Sequence, residues 1–160
     1  MQNIPTPWGQ SFTPNFSAIS FIRLKFDDGN TNDGFGATIH LNLRSGSING
    51  PLLGTTTPVT MPNLFTGTAN FFFATEISLT PGVMYYFEPI VESGGPWNLD
   101  AESFNYSGGY VIYGGTPLTG SDLWFREGLY IVPEPSAAAF ALVAMAILAL
   151  RHRSQFHRCA

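Results

Sequence analysis

The chain has 160 residues, the usual size of one domain and enough to bury a core without disulfides or metals. Only 11% of the residues are charged, while 17 glycines, 12 prolines and 14% aromatic residues are typical of β-sandwiches and argue against disorder. Residues 1–132 hold four basic and ten acidic side chains, an acidic balance that excludes a typical nucleic-acid-binding surface. Cys159 is the only cysteine, so no intramolecular disulfide can form. The cysteine content therefore does not indicate whether the protein is in an oxidising or a reducing compartment.

Two early segments alternate apolar and polar residues with the period of two that marks a half-buried β-strand. The first is "AISFIRLKF" and the second is "ATIHLNLR". We expect the two strands to be antiparallel neighbours in one sheet, because only the turn-forming loop "DDGNTNDG" and a few further residues separate them. The residues expected to face inward are Ile22, Leu24, Phe26, Ile39, Leu41 and Leu43, and those expected to face outward are Arg23, Lys25, Thr38, His40, Asn42 and Arg44.

The loop between these strands is rich in side-chain oxygens, which are the ligands that Ca²⁺ prefers. Its candidate ligands are Asp27, Asp28, Asn30, Asn32 and Asp33. The spacing does not match an EF-hand loop, because a frame that starts at Asp28 has Asp33 where glycine is required and Ile39 where glutamate is required. We predict a solvated hairpin loop and no metal site, with a calcium site as the alternative.

Further strand-like runs follow along the chain: "NFFFATEISL", "VMYYFEPIV", "GYVIY" and "DLWFREGL", each bounded by turn-forming residues. Together with the first two they give seven or eight strands, and no amphipathic helix supplies the crossovers of a parallel sheet. The sequence therefore predicts an all-β domain over residues 10–130, an antiparallel β-sandwich of jelly-roll type.

Catalytic signatures are missing from this region. His40 is its only histidine and it has no cysteine, so neither a His-rich zinc site nor a Cys/His dyad can form. No GxSxG or P-loop motif occurs, and "GFGATI" lacks the third glycine of a dinucleotide loop. On one strand, Glu88 and Glu92 would lie ~13 Å apart, too far for a glycosidase pair, and Asp100 and Glu102 would point the same way. We predict a non-enzymatic protein with no catalytic residue and no cofactor.

Aromatic residues gather between residues 97 and 124. Trp97, Tyr110, Tyr113 and Trp124 are candidate glycan-binding residues, because the apolar face of a sugar ring stacks on aromatic rings. Core packing is the alternative, and the alternation in "YVIY" places at least one of the two tyrosines inside. Exposure of both tryptophans on one surface would favour glycan binding, and burial between sheets would favour the core.

The end of the chain, "VPEPSAAAFALVAMAILALRHR", is unlike the rest. Residues 136–150 are uncharged, and as a helix they would span ~22 Å, somewhat less than the ~30 Å hydrocarbon core of a bilayer. A buried core helix is the alternative, but the segment is apolar all round and has no other predicted helix to pack on. We predict a transmembrane helix whose stop is Arg151 and Arg153, with residues 151–160 as a cytoplasmic tail and residues 1–132 on the far side.

The order of Pro133, Glu134 and Pro135, an apolar helix and a basic "RHR" resembles the PEP-CTERM sorting signal of exported bacterial proteins. The two prolines would hold residues 131–135 extended for a protease, while a stiff Pro-rich linker is the alternative. The resemblance implies that an exosortase-type membrane enzyme removes the helix. It also implies delivery through the inner membrane of a Gram-negative bacterium to the cell envelope or extracellular matrix.

Four segments of the body, "QSFTPNFSAISFIRLKF", "IHLNLRSGSINGPLLGTT", "EISLTPGVMYYFEPIVES" and "YSGGYVIYGG", resemble in order the choice-of-anchor type β-sandwich domain of surface-sorted bacterial proteins. This resemblance implies a fold and an exported protein, without a reaction. The first residues, "MQNIPTPWGQSFT", do not look like a secretory signal, so we expect a misassigned start or a fragment. We predict a structural or adhesive role, with a carbohydrate-binding module for extracellular polysaccharide as the alternative.

Overall fold

The computed structural model describes residues 7–102 and 106–130. The chain divides into two units, Met1–Tyr130 and Ile131–Ala160, and all of the described residues belong to the first. The described ranges contain no helix that is long and apolar enough to cross a membrane. The predicted sorting motif at residues 133–135, the transmembrane helix at 136–150 and the basic tail at 151–160 lie outside the described residues.

Short and long β-strands make up the regular structure of the described residues. In chain order they are β1 (Gly9–Phe12), β2 (Ala18–Asp28), β3 (Ala37–Ser45), β4 (Leu52–Thr55), β5 (Val59–Met61), β6 (Thr66–Ser78), β7 (Tyr85–Gly94), β8 (Trp97–Leu99), β9 (Ala101–Glu102), β10 (Val111–Tyr113), β11 (Thr116–Leu118), β12 (Asp122–Leu123) and β13 (Phe125–Gly128). Every pairing between these strands is antiparallel, as the sequence predicts.

The strands form two main sheets. The first sheet has the order β11-β10-β1-β7-β3-β4, and β5 also pairs with β3. The second sheet has the order β13-β2-β6, and β8 also pairs with β2. Strands β12 and β9 form a separate two-stranded ladder. The fold is thus all-β and sandwich-like, since the two main sheets share one core.

The core lies between the apolar faces of the two sheets. Inward residues of β2 and β3 are almost completely buried, which confirms the alternation read from the sequence. The ring of Phe125 on the second sheet lies 6.4 Å from that of Phe12 and 5.3 Å from that of Phe87, both on the first sheet. These rings join the two layers, and removing apolar area from water is the main force that holds such layers together. The buried inward residues of the two strands are Ile22, Leu24, Phe26, Ile39, Leu41 and Leu43.

The expectation that β2 and β3 are neighbours in one sheet is wrong. Strand β2 pairs with β6, β8 and β13, whereas β3 pairs with β4, β5 and β7. The connection over residues 29–36 therefore passes from one sheet to the other. Alternation shows which side of a strand faces the core, and this side is the same whether the next strand pairs beside it or packs across from it.

A buried polar network ties the β12-β9 ladder to the first sheet. Gln10 Nε2 on β1 donates a 2.7 Å hydrogen bond to Asp122 Oδ1 on β12, and Leu123 N donates to Gln10 Oε1 at 3.0 Å. Asp122 Oδ2 accepts a further 2.8 Å hydrogen bond from Tyr106 N. Both partners of the first bond are buried, so these bonds compensate the cost of removing an amide and a carboxyl group from water.

Candidate functional site

The structure separates the predicted glycan-binding aromatics. Trp97 on β8 is only 3% exposed, and its ring packs 6.4 Å from that of Phe26 and 6.0 Å from that of Phe65. Tyr113 on β10 is 49% exposed but belongs to the other main sheet, while Tyr110 and Trp124 are half-buried. Trp97 therefore offers no open ring to a sugar, and its burial supports the core interpretation for this residue.

An apolar cavity of about 220 Å³ adjoins Trp97. It is lined by eight apolar residues, which include Trp8 before β1, Leu99 on β8 and Val91 on β7. The indole Nε1 of Trp97 is buried and has no hydrogen-bond partner among the described residues. The lining contains no ionisable side chain, so this cavity lacks the groups that acid, base or nucleophilic catalysis requires.

The oxygen-rich loop uses its side chains to cap its own backbone. Asp28 accepts hydrogen bonds from Asn30 N at 2.9 Å and from Leu64 N at 2.7 Å. Asn30 Oδ1 accepts from Asn32 N at 3.3 Å, and Asp33 Oδ1 accepts from the backbone two residues further on at 2.8 Å. In the part of the chain that the structure describes, no three Asp, Glu, His or Cys residues come close enough to hold a metal ion. The contacts favour a self-capped loop.

The outer side of the first sheet carries two pairs of basic and acidic side chains. His40 Nδ1 on β3 lies 2.7 Å from Glu92 Oε1 on β7, and Arg44 Nε lies 3.5 Å from Glu88 Oε2. Arg44 Nη1 also donates to Gly50 O at 3.0 Å. Burial raises the pKa of the Glu88 carboxyl, and the nearby positive charge of Arg44 lowers it in part. Arg44 Nε is buried and has no hydrogen-bond partner among the described residues, so its 3.5 Å contact with Glu88 is an electrostatic one.

The outer side of the second sheet is different, and sequence reasoning did not identify it as a site. Strand register places Asn70 on β6, Arg23 on β2 and Arg126 on β13 in one row across the sheet. Arg23 Nε donates a 2.6 Å hydrogen bond to Asn70 Oδ1. Lys25, two positions along β2, forms an ion pair with Asp100. Three of the four basic residues of positions 1–132 therefore lie on this one side.

An aromatic row lies beside the polar one. Phe72 on β6, Phe21 on β2 and Gly128 on β13 are paired across the sheet, two residues along from the polar row. The Phe21 and Phe72 rings are 6.2 Å apart, and the Tyr130 ring lies 5.3 Å from that of Phe72 in a T-shaped contact. We call these two rows together the arginine–aromatic face, and its six side chains are Phe21, Arg23, Asn70, Phe72, Arg126 and Tyr130.

Similarity to known proteins does not decide among these places. No protein-family model matches the chain, and no curated protein matches it either. The choice among the cavity, the acidic loop and the two outer sides therefore depends on their geometry. Within the described residues, the arginine–aromatic face combines the exposed rings of Phe72 and Tyr130 with the exposed Arg126.

Proposed function

We propose that this is an exported, non-enzymatic protein that is sorted by its C-terminal segment to the cell envelope or extracellular polysaccharide matrix of a Gram-negative bacterium. The observation that carries the proposal is the order of three sequence features: Pro133, Glu134 and Pro135, then the uncharged residues 136–150, then Arg151 and Arg153. An exosortase-type membrane enzyme would cleave near the motif and release the body from the helix.

The body of the protein supports a structural or adhesive role in that place. Its strands pair the two ends of the domain, because β1 pairs with β10 and β2 pairs with β13. Such long-range pairing fits the jelly-roll type of sandwich that we propose for residues 10–130.

Carbohydrate binding is a second candidate function. Trp97 gives it no support, since its ring is buried. The arginine–aromatic face favours it, because partly exposed rings beside hydrogen-bonding groups are the combination that holds sugars.

The sorting proposal is tested by processing of the full-length chain in a bacterium that has an exosortase. Intact-mass analysis of envelope protein should find a mature chain that lacks residues 151–160. The double change Pro133→Ala with Glu134→Ala should leave the chain unprocessed, because the extended, charged recognition segment is lost. A chain that ends at Val132 should lose membrane association.

A matched control is Ser154→Ala with Gln155→Ala, which alters two polar residues beyond the basic stop and should leave processing unchanged. If the mature protein retains Arg151 to Ala160 in the presence of the exosortase, the sorting proposal is wrong. Equal processing of the motif variant and the control would contradict the role of the motif.

A further inference from the structure

We propose that the arginine–aromatic face binds an acidic polysaccharide, a chain of sugar rings that carry carboxylate groups. The choice of a polysaccharide as partner rests on the proposed delivery of the protein to the envelope or matrix. The chemistry of the site, an anion held beside aromatic rings, rests on the geometry of the second sheet alone.

The strand register places two arginines of this face unfavourably. Arg23 and Arg126 stand directly opposite each other on adjacent strands, and like charges in this position destabilise a sheet. Neither arginine has a carboxylate within ion-pair distance among the described residues. The body has ten acidic side chains to four basic ones, so acidic partners are abundant elsewhere. An external anion between the two guanidinium groups would remove the repulsion.

One guanidinium is already held in place. The 2.6 Å hydrogen bond from Arg23 Nε to Asn70 Oδ1 fixes one edge of the group, and its two Nη atoms have no hydrogen bond to any of the described residues. Two parallel N–H donors match the two oxygens of a carboxylate, and such paired bonds are stronger and more specific than a single charge contact. The exposed Arg126 is directly across the strand pair and supplies a second cation.

The neighbouring row supplies apolar surface for the sugar ring. Phe72 is 37% exposed and Tyr130 is 57% exposed. Gly128 is paired with Phe21 and has no side chain to cover that ring, and a Cβ there would lie only 3.5 Å from it. Outward positions that are two residues apart on a strand are separated by ~7 Å, so one sugar ring can contact both rows. The apolar side of the sugar would stack on the rings while its carboxylate meets the arginines.

The surrounding charges limit the choice of partner. Nucleic-acid binding depends on many contacts between phosphates and Lys or Arg side chains, whereas this face offers two arginines, with Asp27 and Glu76 further along β2 and β6. A sugar ring needs aromatic surface to stack on and a few donors for its polar groups. An acidic protein would need the arginines but not the rings, and the experiment separates these two partners.

The test measures binding of the purified full-length chain, in detergent micelles, to three probes of known composition. Alginate carries carboxylates on sugar rings, dextran is a neutral sugar polymer, and polyglutamate carries carboxylates without sugars. We expect alginate to bind at least ten-fold more tightly than either of the others. Arg23→Ala, Arg126→Ala and Phe72→Ala should each weaken alginate binding by about ten-fold, equivalent to about 1.4 kcal/mol.

The matched control is Thr116→Asp on β11 of the first sheet, which changes the net charge by the same one unit at an exposed position. It should bind alginate as the unchanged protein does, and circular dichroism should show the same fold for all variants. Unchanged binding in the arginine variants, or no alginate binding at all, would overturn the proposal. Equal binding of polyglutamate with no effect of Phe72→Ala would assign the face to an acidic protein.

This experiment is independent of sorting, because it uses purified protein. A chain that is processed correctly but does not bind alginate contradicts only the assignment of this face. A chain that binds alginate but is never processed contradicts only the sorting proposal.

Discussion

Arginines on the outer sides of the two sheets differ in whether a carboxylate lies beside them. On the first sheet, Arg44 lies beside Glu88 and His40 beside Glu92. On the second sheet, Arg23 stands opposite Arg126, with no described carboxylate in reach of either. The same alternation of inward and outward residues produces both sides. The difference comes from the neighbouring strands, and it marks Arg23 and Arg126 as the arginines that are available to a partner.

The largest expected effect is a loss of stability when Arg44, on the outer side of the first sheet, is replaced. Arg44→Ala should lower the free energy of unfolding by about 2–3 kcal/mol, because Glu88 would lose its counter-charge while it is only 8% exposed. Urea denaturation measures the loss. Arg126→Ala is the control from the other side and should change stability by less than about 0.5 kcal/mol. Equal losses in the two variants would remove the distinction between the sheets.

The second effect is a pH dependence. Burial raises the pKa of Glu88 above its usual value of 4.5, so the folded chain binds this proton more tightly than the unfolded chain does. Stability from this group is therefore full below about pH 4.5 and falls as pH rises through the raised pKa. Burial raises the pKa of Glu127 as well, which contributes with the same sign. Glu88→Gln should flatten the fall in melting temperature between pH 4 and pH 7.

Arg44→Ala should steepen that fall, because the positive charge that partly lowers the Glu88 pKa is gone. Glu76→Gln, at an exposed position on β6, is the matched control for removing one glutamate. If the Glu88 and Glu76 variants show the same pH profile, burial of Glu88 does not contribute to the pH dependence.

The smallest expected effect is on the second sheet. Arg126→Glu places a carboxylate opposite Arg23 and should raise the free energy of unfolding by about 0.5 kcal/mol, since opposite charges directly across a strand pair are favourable. Melting in low salt measures the gain, which should shrink in high salt because the pair is exposed. A loss of stability would mean that Arg126 makes a favourable contact in the unchanged protein.

Much of the local structure could be predicted from the sequence. The predicted inward faces of β2 and β3 are confirmed, because alternation depends only on a few consecutive residues and their burial. Ile22, Leu24 and Phe26 needed no knowledge of the partner strands. The same holds for the antiparallel arrangement, which follows from short strands without crossover helices.

The arginine–aromatic face could not be predicted from local sequence patterns. Arg126 meets Arg23 through a register between β13 and β2, and no local pattern contains that pairing. Trp97 was ambiguous for a related reason, because a tryptophan in a short segment suits a surface or a core until the opposite layer is known. One signal was available: two of the four basic residues of the body, Arg23 and Lys25, occupy outward positions of the same strand.

The pairing of early with late strands also governs when this domain can fold. Gln10 on β1 pairs with Val111 on β10, and Tyr130 N donates a 2.6 Å hydrogen bond to Ser20 Oγ across 110 positions of the chain. Contacts between distant residues form slowly, because closing a long loop costs entropy before the contact compensates it. The first sheet cannot be completed until Leu118 is available, and the second cannot be completed until Gly128 is available. The domain can therefore complete its fold only when nearly all of its chain has been synthesised.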